Sequence, residues 1–179
     1  MSEPLKLAPY EAYVDARARP ENPRLIELRA YWQAKCRRDK VPARADIDPA
    51  DLVAHLPSLF LLNVAGEAGR PEDFTVRLSG TALDDLFGQA LTGKHLGEML
   101  GGTMAHLLTG PLAAAAQFRR PMRVFGTLPL IEGQEDRPLE MLLLPLAADG
   151  KKVDMILGEL LTQRAAARAP SEAPQTAQV

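Results

Sequence analysis

The sequence predicts an α+β fold: a five-stranded antiparallel sheet with short helices inserted after its second strand and an amphipathic helix ahead of it. Three observations predict it. Two strand patterns precede a run of short helical segments and three follow it, an order that lays helices against an antiparallel sheet. Residues 138–147 (PLEMLLLPLA) and 153–163 (VDMILGELLTQ) are apolar at both alternating sets of positions, as in strands covered on both faces. Ahead of all the strands, Leu25, Leu28, Trp32 and Cys36 recur at helical spacing.

Residues 1–20 form an arm of mixed, poorly periodic sequence, with Tyr10 and Tyr13 as local anchors. Residues 21–57 hold the amphipathic helix and a wrapping loop. Asn22 caps that helix and Pro23 suits its first position, where the missing N–H costs nothing. Two prolines and several Asp and Arg charges then break the chain into a loop, with one short turn at Asp48-Pro49 and apolar contacts from Ile47, Leu52, Val53 and Leu56.

Residues 58–164 form the core. Ser58–Ala65 is an apolar strand, and Phe74, Val76 and Leu78 alternate with Asp73, Thr75 and Arg77 as in a half-buried one. TALDDLFG starts a short helix at Thr81 and ends it on Gly88, a left-handed cap. KHLGEML is a second short helix and Thr103–Phe118 a longer one, in which Pro111 removes a backbone donor and forces a kink or a fresh start. Met122, Val124, Gly126, Leu128 and Leu130 alternate with Arg123, Phe125, Thr127 and Pro129, and Asp149-Gly150 turns the last two strands into a hairpin. The tail, residues 165–179, lacks large apolar residues and is expected to be disordered.

Composition excludes several classes. Lys and Arg number 21 against 23 Asp and Glu, so the concentrated basic face of a dedicated nucleic-acid binder is not expected. The single cysteine, Cys36, forms no internal disulfide and no thiolate-rich zinc site. The N-terminus has no long apolar segment and no run reaches membrane-spanning length, so the expected location is the cytoplasm, with no membrane insertion. No metal site is expected from three scattered histidines: His95 and Glu98 are three apart on a short helix, and His55 sits in a loop. Asp84 and Asp85 diverge by about 100° on a helix, so they share no substrate, and one of them is available to pair with Arg77. GxSxG, P-loop and dinucleotide fingerprints are missing, so no catalytic residue is assigned.

Two segments carry a family resemblance. PARADIDPADLVAHLPSLFLLNV and FTVRLSGTALDDLFGQALTGKHLGEM are similar to a stand-alone PAS subfamily of alphaproteobacteria, most specifically in RLSGT followed by LFGQALTG. The resemblance runs from about Leu25 to Leu161 and implies a PAS fold, with a pocket between the sheet and the central helices. It also implies a role in bacterial signal transduction. No output domain follows in this sequence, so the expected product is a single-domain sensor or adaptor, not an enzyme, acting on an unidentified signalling protein in trans.

Ligand-pocket candidates are the inward apolar residues Phe87, Leu96, Leu100, Leu107, Phe125 and Leu143, which serve equally as core packing. Some PAS domains hold haem on a histidine of the longer helix, which makes His106 the candidate ligand here. Light-sensing relatives place a flavin-reactive cysteine near Gly88–Leu91, where this chain has none; Cys36 lies in the first helix instead. The residues therefore favour no cofactor over haem or flavin. The central helices cover one face of the sheet only, so the second face needs another cover. Leu25, Leu28 and Trp32, with Met155 and Leu157 on the last strand, are the candidates for helix packing and for a homodimer. The competing reading is a small-molecule binder or enzyme on a cone-like α+β fold, with Glu140 or Glu159 as its buried acid or base.

Overall fold

The structure, a computed structural model, describes residues 3–131 and 133–163; the tail expected from Ala165 lies outside the described residues. Two short strands, β1 (Leu5–Lys6) and β2 (Ala12–Asp15), precede helix α1 (Pro23–Lys35). Strands β3 (Leu59–Val64) and β4 (Phe74–Ser79) are followed by helices α2 (Thr81–Phe87), α3 (Leu96–Leu100) and α4 (Gly102–Phe118). Strands β5 (Met122–Leu128), β6 (Arg137–Leu146) and β7 (Met155–Thr162) complete the chain. All neighbours pair antiparallel, in the order β1-β2-β5-β6-β7-β3-β4.

The expected α+β architecture is present, with seven strands rather than five. The additional two come from the arm. β2 pairs with the outer edge of β5, and Ala12 and Leu7 reach the core at 0% and 7% exposure. Gly126 makes this possible: its φ is +118°, and a Cβ there would lie 2.2 Å from the Glu11 carbonyl oxygen, which accepts the Thr127 N–H. Strands of two and four residues are too short to show a period, so alternation cannot reveal them.

The two-sided strands have a cover on each side. On one face Leu139, Met141 and Leu143 of β6 meet α2, α3 and α4, including Leu83, Leu96, Leu108 and Leu112. On the other, Leu142, Leu144 and Leu146 of the same strand meet Leu25, Leu28 and Trp32 of α1. Each such side chain contributes about 1.5–3 kcal/mol on burial, so both layers hold the sheet. Met155 and Leu157 of β7 belong to the α1 side as well.

Helix α1 starts as its sequence implies: Asn22 Oδ1 accepts the Arg24 N–H at 3.0 Å and Pro23 is the first helical residue. The wrapping loop holds three 3-10 turns, at Arg44–Asp46, Pro49–Leu52 and Leu56–Ser58, rather than one. Ile47 and Leu52 are buried beneath them, but Val53 and Leu56 are 65% and 38% exposed because the tight turns rotate them outward. Helix α4 runs through Pro111 without a fresh start, with the proline ring buried. No helix of the described residues is long and apolar enough to cross a membrane.

Candidate functional site

Between the sheet and α2–α4 lies a cavity of about 60 Å³. Its wall is built from Phe60 and Leu62 of β3, Val76 and Ser79 of β4, Met141, Leu143 and Leu160 of β6 and β7, and apolar residues of the helices and adjoining loops. Among the described residues Ser79 is the one polar side chain in that wall, and its hydroxyl donates to Asp84 Oδ1, so its proton is taken and only the acceptor side of its oxygen is left for a guest. Asp84 also accepts the Leu91 N–H at 3.2 Å, which spends it on the α2 junction rather than on Arg77. Gly158 shapes the floor: the Phe60 ring lies where its Cβ would be, 2.2 Å from the ring tip.

Four of the six expected pocket residues line this cavity: Phe87, Leu96, Leu100 and Leu143. Leu107 does not. The helical phase that sends Met104, Leu108 and Leu112 inward leaves Leu107 on the shoulder of α4. Phe125 does not either: it pairs with Glu140 and Tyr13 on the opposite face, stacks on Tyr13 at 5.6 Å and lies under the Arg123 guanidinium at 4.0 Å. Its phase opposite Val124 carries that information.

The residues present do not fit haem. His106 is exposed, its Nδ1 is bonded to the Gly102 carbonyl at 2.8 Å, and it lies outside the cavity wall. They do not fit flavin either: the described wall is apolar apart from the Ser79 hydroxyl, whose proton is already taken, and about 60 Å³ is far too small for a three-ring cofactor. Cys36 lies at the end of α1, where burial pushes its thiol pKa up and disfavours the reactive thiolate. The His95 imidazole bonds Thr75, while Glu98 accepts the His95 backbone N–H, so the two side chains form a helix cap and not a ligand pair.

The most polar buried cluster lies on the other face of the sheet. Glu159 of β7 is fully buried and accepts three side-chain bonds, from Ser58 Oγ at 2.7 Å, His55 Nδ1 at 2.7 Å and Arg24 Nη2 at 2.9 Å. A carboxylate oxygen accepts, so His55 donates to it through Nδ1. His55 Nε2 lies 3.9 Å from Glu27, one turn along α1 from Arg24. Glu140 of β6 acts at the start of the same helix, accepting the backbone N–H groups of Glu21 and Asn22 at 2.7 and 2.9 Å and the Arg123 Nε–H at 2.7 Å. Both glutamates thus face α1 and not the cavity, which removes them as pocket acids. His55 is the residue that sequence spacing does not reveal: its partner is 104 positions away.

The sequence model of the PAS domain family matches residues 21–161, and the chain belongs to that family of sensor domains in signalling. The match takes in α1 and leaves the β1–β2 arm outside. Among solved structures, the PAS domain of Bordetella pertussis BvgS is similar at 17% identity and a TM-score of 0.47, over 66% of this chain and 89% of that one. An RNA-binding light-oxygen-voltage receptor is similar at 13% and 0.47, over 64% of this chain and 33% of that one. A Rhodobacter sphaeroides light-oxygen-voltage protein is similar at 16% and 0.45, over 65% and 68%. No curated protein matches.

Proposed function

We propose that this protein is a sensor of the alphaproteobacterial PAS subfamily that its sequence resembles, acting in the bacterial cytoplasm through protein–protein contacts under the control of a small apolar ligand. One observation carries the reading: β3 and β7 each touch the cavity with one face and α1 with the other. On β7, Leu160 lines the cavity and the adjacent Glu159 grips Arg24 of α1. On β3, Phe60 lines the cavity, and Leu59 beside it packs in the α1 core. A guest that shifts these strands changes the seat of α1 directly.

The cavity supports the same reading. Leaving about 60 Å³ unfilled costs roughly 1–2 kcal/mol. The volume is below the about 150 Å³ that admits benzene to a dry cavity, so a larger guest requires the helices to move apart. Such motion is what a sensor needs, and the apolar wall selects an uncharged, largely apolar ligand.

Leu25, Leu28 and Trp32 are consumed within the chain, so the homodimer of this reading uses the outer face of α1. Ile26, half exposed, lies there with Ala30, Gln33 and Ala34 beside Arg19 and Pro20. The enzymatic alternative needs a carboxylate in the cavity wall, and the glutamates face the other way. Native mass spectrometry of freshly purified protein tests the proposal. The expected spectrum is a dimer at tens of micromolar that releases a small apolar molecule on mild activation; monomer alone, with no released molecule, would contradict it.

A further inference from the structure

Two turns meet at one pole of the molecule. Arg37 and Lys40 exchange backbone hydrogen bonds at 3.1 and 3.0 Å just after α1, and the Ala147 N–H donates to the Pro42 carbonyl at 2.9 Å. These bonds seat that turn on the one between β6 and β7, where the Lys40 side chain lies across Gly150, its Cδ 2.8 Å from the place a Cβ would take. Asp149 accepts the backbone N–H groups of Lys151 and Lys152 at 2.8 Å each, fixing the second turn. Arg37, Arg38, Lys40, Lys151 and Lys152 are all exposed, and none forms an ion pair among the described residues. The chain as a whole carries a formal charge of −2, so this pole reverses its sign locally.

A groove of about 370 Å³ opens beside two of these cations, Lys151 and Lys152, with Glu67 and Gln117 as the other polar side chains of its lining. Val64, Ala68, Ala116 and Val153 supply its apolar surface, and Lys151 and Lys152 belong to its border. It shares no residue with the cavity wall. Ala68, Ala116 and Val153 are each 9% exposed or less, so the floor is recessed and accepts a side chain rather than inserting one.

We propose that this groove and its basic border dock an acidic segment of a partner protein, one that sets an apolar side chain on the floor between aspartates or glutamates. Charge complementarity selects this occupant. Asp39, Asp149 and Glu67 interrupt the cations, leaving separate positions that suit spaced carboxylates better than a continuous phosphate backbone. Among the described residues the groove has no aromatic side chain on which bases would stack, and no protruding apolar side chain to enter a lipid surface. At physiological ionic strength charges act over about 8 Å, so this attraction works at contact range and weakens with salt. The inference names a partner chemistry for the signalling reading but stands whether or not the cavity takes a guest.

Fluorescence anisotropy of the full chain with a labelled peptide of glutamate and aspartate around two leucines tests it. Binding is expected at low salt, weakened about tenfold by the combined Lys40→Glu, Lys151→Glu and Lys152→Glu variant and left unchanged by Arg77→Glu, a charge reversal on the β4 edge. The same peptide with glutamine and asparagine in place of its acids is expected not to bind. Absence of binding, equal binding by the reversed variant, or tighter binding to oligothymidylate or to phosphatidylcholine–phosphatidylserine vesicles would overturn the proposal. Dimer loss or an empty cavity leaves these outcomes unchanged, so failure here is distinct from failure of the sensor reading.

Discussion

Glu159→Ala is expected to lower the unfolding free energy by about 3–5 kcal/mol, read from urea titration. The carboxylate is fully buried and is the common acceptor for Ser58, His55 and Arg24. Arg24 is 44% exposed at its side chain, so its charge turns to water when the carboxylate goes. Ser58 and His55 are 6% and 3% exposed: the Ser58 hydroxyl keeps only a long 3.4 Å bond to the His55 carbonyl, and His55 Nδ1 keeps no partner among the described residues. Each buried donor left without a partner costs about 1–3 kcal/mol, and the lost side-chain volume adds to that. Glu159→Gln keeps the volume and one acceptor, and is expected to cost about 1–3 kcal/mol. Trp32 is the only tryptophan, so its emission reports directly whether α1 stays seated. A loss below about 1 kcal/mol for the alanine variant would mean that this cluster does not hold α1 to the sheet.

Trp32→Ala is expected to cost about 3–5 kcal/mol by the same titration followed by circular dichroism. The ring is 3% exposed in the α1 core, and its indole N–H donates to the Pro145 carbonyl at 3.0 Å. That bond has a topological cause. β5 begins at Met122, opposite Leu143, so past Leu143 the β5 side of β6 has no strand partner among the described residues. Proline has no N–H to satisfy there, and Trp32 supplies the donor that its carbonyl needs. Trp32→Phe keeps most of the packing and loses the donor, for an expected cost of about 1–2 kcal/mol. Equal losses for the two variants would show that the bond and not the ring matters.

Much of this architecture is legible in local pattern. The two-sided apolar run of β6 implies two covers, and the helix carrying Leu25, Leu28 and Trp32 is one of them. The Asn22-Pro23 start and the Gly88 end are local chemistry, which sequence records well. What stays hidden is tertiary. The strands of the arm are too short to have a period. Leu107 and Leu108 are equally apolar, and only the seat of α4 on the sheet decides which one points inward. The bonds to Glu159 join chain segments more than a hundred positions apart, so its role as an anchor for α1 is set by the fold. Residue spacing carries no cavity volume either, because the volume is what remains after packing.

In the proposed sensor the cavity is read out on α1 through β3 and β7. Hydrogen exchange by mass spectrometry on Leu160→Phe, which puts a ring into the cavity from the strand that carries Glu159, tests it most directly. The expected result is that the α1 amides between Arg24 and Lys35 exchange about tenfold faster while the central strands stay protected. Altered exchange confined to α2, α3 and α4, with α1 unchanged, would contradict it.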